Sequence, residues 1–174
     1  MKAVGASTLG HLADIGPLCM RVGVGLVFVT HGWQKFHDIK VSNFAKFLDS
    51  LGVPAPETVA WLQTIAEGVG GLLLIAGLMT RLVAIPLIGI LLGAILLVKQ
   101  DITGWGIVVI SAPDQIALGH SATGAELEIG LMAGLLGLLF IGPGRISVDG
   151  ALGMETAVAP VSAGTRADRA VERT

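Results

Sequence analysis

Charge is scarce in this chain. Only 14% of its 174 residues are Asp, Glu, Lys or Arg, against about a quarter in a typical soluble domain, and 53% are hydrophobic. So few charges cannot solvate an ordinary protein surface, and the composition points into a bilayer. No basic run or stripe occurs and the net charge is −2, which argues against nucleic acid as a partner. Cysteine is nearly absent: Cys19 alone allows neither an intrachain disulfide nor a CxxC pair, so a self-contained thiol–disulfide enzyme is excluded. Tyrosine is missing altogether. The chain also lacks a haem-ligand pair at bundle spacing, iron–sulfur cysteines and a flavin fingerprint. Any electrons it handles must therefore come from a partner.

What the chain has is glycine, 25 residues of it, and long apolar runs. Four runs approach the roughly 20 residues needed to span a bilayer as helix. They lie at about 15–36, 57–79, 81–100 and 125–142. Pro54 and Pro56 break the chain before the second run, Pro86 sits in the first turns of the third, and Pro143 with Gly144 closes the fourth. Only Thr80 separates the second run from the third, which predicts a tight antiparallel hairpin. The fold class read from this is an all-α integral membrane protein, a four-helix antiparallel bundle within residues 1–149. Residues 150–174 read as a polar tail. The first apolar segment is too long for a signal-peptide h-region, and no A-x-A site follows it, so it is expected to be kept as a helix.

Between the first two runs, Phe44, Phe47, Leu48 and Leu51 recur at i, i+3, i+4, i+7, the spacing of a short helix at the membrane surface. Residues 101–124 carry "WGIVVISA", too short to span and expected to be interfacial or re-entrant. With both termini cytoplasmic, Lys2, Arg81, Arg145, Arg166, Arg169 and Arg173 lie inside and Lys35, Lys40, Lys46 and Lys99 outside. This balance leans toward the N-in, C-in orientation only through the distant tail arginines.

The polar residues within the spans are the candidate site. Glu67 stands near the middle of the second run, where a carboxylate costs roughly 2.5–3.5 kcal/mol to insert, so something must pair with it or use it. Arg21 and His31, on the first run, each lie within about 10 Å of it in depth at ~1.5 Å per residue. Its readings are a structural ion pair with Arg21, a proton carrier beside a ligand, or a protonated acid bonded to a carbonyl. His31 and Lys35, at i and i+4, share a face, and Glu126 and Glu128 open the fourth run at the same side of the membrane. The candidate catalytic residues are Glu67 and His31; the candidate cofactor-binding residues are Arg21, His31, Lys35, Glu67 and Glu126. His31, His37 and His120 lack metal-ligand spacing, so no metal site is assigned. Cys19 is expected to fill space. Glu67 is expected to face the bundle interior against the first helix, with Gly70 and Gly71 letting that helix come close. The glycines at 89 and 93, and at 130, 134 and 137, are expected to serve close helix packing.

Three stretches carry a family resemblance. "RVGVGLVFVTHGWQKF" contains His31, Gly32 and Lys35 as H-G-x-x-K; "AEGVGGLLLIAGLMTRLVA" contains Glu67, Gly70 and Gly71 as E-x-x-G-G; and "GPGRISVDG" follows the last span. In this order they resemble the DoxX family of small bacterial membrane proteins over roughly residues 15–149. The resemblance implies a four-helix protein of the cytoplasmic membrane. Some relatives are subunits of thiosulfate:quinone oxidoreductases, and actinobacterial members are linked to a membrane complex with a superoxide dismutase and a sulfurtransferase. The function expected is a redox-complex subunit that holds a quinone head group, menaquinone or ubiquinone, with soluble oxidoreductase partners. The alternatives are a non-catalytic anchor for such enzymes and, last, a small carrier or channel, which would need a homo-oligomer to line a pore.

Overall fold

The computed structural model describes residues 6–99 and 125–154, and among these every regular element is helical. Helix α1, Ala6–Gln34, continues into a π-helical turn at Lys35–Ile39. A short α2, Val41–Ser50, leads to α3, Pro56–Ala76. Helix α4, Thr80–Gly93, also ends in a π-helical segment, Ala94–Lys99. Helix α5, Glu126–Ile141, and a single-turn α6, Val148–Leu152, complete the described chain.

Three of these stretches are long and apolar enough to cross a membrane: Ile15–Ile39, Pro56–Ala76 and Thr80–Leu97. Their outward side chains are what a bilayer demands. Leu26, Leu62, Leu72 and Leu82 are all more than half exposed, an arrangement that water would penalise and lipid does not. The core is a seam of Val24, Phe28, Leu74, Leu87 and Leu135 drawn from α1, α3, α4 and α5.

Helices α1 and α3 make the most extensive contact. They run antiparallel and nearly touch backbone to backbone. A Cβ on Gly32 would lie 2.5 Å from the Gly68 nitrogen, and one on Gly71 would lie 2.7 Å from the Gly25 carbonyl oxygen. Only glycine tolerates such a crossing. Gly71 thus serves the first helix as expected, whereas Gly70 packs on Val83 and Leu87 of α4 instead. Helix α5 meets α1 through Gly134 against Val24 and Gly137 against Met20. The order of these contacts makes α5 antiparallel to α1 as well.

The α3–α4 turn is longer than one residue. Gly77, at φ 70°, closes α3: its N–H donates to the Leu74 carbonyl and that of Leu78 to the Leu73 carbonyl. That pattern is a Schellman motif. Helix α2 buries Val41, Phe44, Ala45 and Leu48 and packs on Ala60 of α3. The buried stripe is therefore turned slightly from the one read in the sequence: Phe47 stays 43% exposed. Helix α6 reaches Leu152, three residues past the expected boundary at 149. The interfacial reading of 101–124 and the tail from 155 fall outside the described residues.

Candidate functional site

Glu67 is 3% exposed, and its partner is Lys35. The Lys35 ammonium donates to both carboxylate oxygens, each at 2.5 Å. Helix geometry explains the match. Gly32 lies against Thr64 and Gly68, so Lys35 starts about one turn nearer the end of the bundle than Glu67. Helical Cβ bonds tilt toward the helix N-terminus, and because α1 and α3 are antiparallel the two side chains lean toward each other. The lysine stem then reaches inward to a carboxylate that could not reach outward.

Two further groups complete the pair. Gln63, one turn before Glu67, donates its amide to Oε1 at 3.2 Å, an i, i+4 contact on one helix face. The Phe44 ring of α2 lies under the ammonium, 4.9 Å from Nζ to ring centroid, a cation–π contact strengthened by desolvation. Lys35 is the first residue of the π-helical turn. Such turns are rare and concentrate at functional sites, because the extra residue re-aims a side chain.

Beside this pair lies a cavity of about 110 Å³, lined by His31, Lys35, Gln63, Glu67 and Glu128 together with apolar residues of α1, α4 and α5. The His31 Nδ1 is 2.8 Å from the Val27 carbonyl oxygen one turn back. A carbonyl only accepts, so Nδ1 donates in this contact and Nε2 is left for other partners. His31 is itself exposed. It thus links the cavity wall to the outside of the bundle.

Arg21 belongs elsewhere. Fourteen residues of helix, about 21 Å at ~1.5 Å per residue, separate it from Lys35. The predicted Arg21–Glu67 pair does not form. Arg21 is 1% exposed at the opposite end of the bundle, where its Nη2 donates to the Ile146 carbonyl and Asp149 acts on it electrostatically. Asp149 accepts hydrogen bonds from the Met79 and Thr80 backbone N–H groups at 2.9 and 3.2 Å, capping α4. The "GPGRISVDG" stretch is therefore a clasp that binds the α3–α4 turn to α1. Arg21 is part of that clasp and not of the cavity.

Glu126 is exposed and does not line the cavity, whereas Glu128, two residues on, does. Gln63 and Phe44 were missed in the sequence; the first was legible as the residue four before Glu67. His37 pairs with Asp38 at 3.0 Å and stacks on Trp33, away from His31, and His120 lies outside the described residues. Among the described residues no three His, Cys, Asp or Glu side chains are grouped to hold a metal ion. Cys19 is exposed and fills no space.

Comparison with known proteins bears on the family and on the membrane setting. The family model described as DoxX matches residues 16–100. The chain is 35% identical to "Uncharacterized membrane protein Rv3486" of Mycobacterium tuberculosis over 133 residues, covering 76% of this chain and 78% of the relative. It is 26% identical to "Inner membrane protein YphA" of Escherichia coli over 134 residues, 76% of this chain and 86% of the relative. It is also 36% identical to "Putative oxidoreductase CatD" of Bacillus subtilis over 86 residues, 49% of this chain and 61% of the relative. No solved structure matches the chain. The matched span contains the Gly25–Gly71 and Gly32–Gly68 crossings and the Lys35–Glu67 pair, and the chain is a multi-pass membrane protein belonging to the DoxX family.

Proposed function

We propose that this protein is the membrane subunit of a quinone-linked redox system and that the Lys35–Glu67 pair receives the quinone head group. The observation that carries the reading is a buried ion pair whose cation is re-aimed by a π-helical turn and which borders a cavity with a second titratable group, His31. The pair is neutral as a whole, which suits a neutral ligand. Quinone carbonyls accept hydrogen bonds, and Lys35 and Gln63 supply donors. Reduction to the quinol takes two electrons, delivered by a soluble oxidoreductase partner, and two protons. Glu67 and His31 lie on the wall from which protons would reach the ring. The name of the Bacillus relative supports the redox setting, and the family resemblance suggests a superoxide dismutase or sulfurtransferase as partner.

In this reading α5 is the fourth span. Its 16 residues give about 24 Å of helix at ~1.5 Å each, short of a ~30 Å hydrocarbon core and accommodated by local thinning. The location is the cytoplasmic membrane, with both termini on the cytoplasmic side.

A second reading has its own support. Lys35 already satisfies both oxygens of Glu67, so the pair would also serve as a simple tie between α1 and α3 in a non-catalytic anchor for soluble enzymes. One comparison separates the two. Glu67→Gln and His31→Ala variants that fold and still bind partners, but lose quinone-linked activity, support the redox subunit. Variants that keep that activity leave the anchor.

A further inference from the structure

Two cavities meet at Lys35. Besides the small one, a groove of about 500 Å³ runs between α2, α3 and α4, and its walls are apolar except for Lys35 and Gln63. Lys35, Gln63, Ile90 and Ala94 line both. The groove is therefore continuous with the polar pair, and the two π-helical segments, beginning at Lys35 and Ala94, both open on that junction.

The volumes decide how a ring-shaped ligand could approach. A cavity of about 150 Å³ takes a benzene ring, so the 110 Å³ cavity is too small for a substituted quinone ring. The groove lies within the roughly 300–1,000 Å³ of small-molecule sites. A head group must then stop at the junction, on the groove side of Lys35 and Gln63. The small cavity behind it, with His31 and Glu128, is left for proton exchange.

The groove also owes its width to glycine. Gly89 and Gly93 stand one turn apart on α4 and line it, and no described atom comes within 4 Å of where their Cβ atoms would sit. Among the described residues these two glycines meet no packing partner, contrary to what their spacing suggested, and they border the open groove.

We propose that this groove seats the isoprenoid tail of a membrane quinone, which enters sideways from the bilayer and comes to rest with its ring against Lys35 and Gln63. The proposal rests on the quinone reading above. A phospholipid fits less well. Its phosphate would bring a second anion to an ammonium already held by both oxygens of Glu67, whereas a quinone ring is uncharged.

The test compares a tail-less naphthoquinone with its polyprenyl-tailed counterpart, binding to purified protein in nanodiscs. The variants are Gly93→Phe and the milder Gly89→Leu, both at groove positions where a Cβ meets no described atom within 4 Å, with Ile85→Phe, exposed and outside the groove lining, as control. Size exclusion and circular dichroism establish folding. The expected result is a tenfold or greater loss of affinity for the tailed quinone in either groove variant. The tail-less quinone should bind them as it binds wild type, and Ile85→Phe should change nothing. Lys35→Met should weaken both ligands. If the groove variants bind the tailed quinone as wild type does while Lys35→Met weakens it, the tail seat is wrong and the head-group reading stands. If wild type binds neither ligand, both fall. If filling the groove only releases a co-purified phospholipid, the groove holds lipid and the proposal fails.

Discussion

Removing Lys35 should cost more than removing the charge of Glu67, although the two form one pair. In Lys35→Met the Glu67 carboxylate stays where α3 holds it, 3% exposed, and keeps only the Gln63 amide among its described side-chain donors. Breaking a buried pair from one side costs about 3–5 kcal/mol, and inserting a central acid costs about 2.5–3.5 kcal/mol, so a value near 3 kcal/mol is expected. In Glu67→Gln the orphan is a lysine whose side chain is already 13% exposed at the end of α1. It can swing outward to the headgroups, and the cost should be roughly 1–3 kcal/mol. The double variant Lys35→Met/Glu67→Gln leaves no buried charge and should recover at least about 1 kcal/mol relative to the sum of the singles. Equilibrium unfolding in mixed micelles measures all three. Additive single effects, or a Glu67→Gln variant less stable than Lys35→Met, would refute the reasoning.

The helix crossing predicts a contrast between two glycines of α1. Gly32→Ala should destabilise by about 1–3 kcal/mol or more, because its methyl meets the α3 backbone, whereas Gly23→Ala, with open space around it, should stabilise by up to about 1 kcal/mol; thermal melts in detergent distinguish them. At the clasp, Asp149→Ala removes the cap of α4 and the anion beside Arg21 and should cost at least the ~1 kcal/mol of a lost helix cap, read as faster proteolysis after residue 141 and a lower melting temperature. Gly77→Ala should destabilise by at least the roughly 1–2 kcal/mol of a left-handed alanine, since φ is 70° and its Cβ would displace the Arg21 guanidinium and lie 2.7 Å from Ser147 Cβ.

The helices were legible because apolar runs of that length leave the chain little choice, and proline and glycine mark their ends. Glu67 facing inward was legible from cost alone. Its partner was not. Depth counted along the helices left Arg21 and His31 both within reach, and choosing Lys35 required the rotation of α1 against α3. That rotation is set by the Gly25–Gly71 and Gly32–Gly68 contacts, whose pairing a linear pattern does not reveal. Arg21 was drawn away by a loop 125 residues distant in sequence, Ile146. The same blindness to rotation explains Glu126 against Glu128, and the glycines of α4 that face a groove and not a helix.

The central claim is that a quinone ring rests on Lys35 and Gln63 from the groove side. A photoreactive azido-quinone with a polyprenyl tail, irradiated in nanodiscs and mapped by mass spectrometry, tests it directly. The account predicts labels on α2 and α4 residues around the junction, such as Phe44, Ile90 and Ala94, that unlabelled quinone competes away and that Lys35→Met abolishes. Labels confined to outward residues such as Leu72, Leu82 or Phe140, unchanged by competitor or variant, would contradict it.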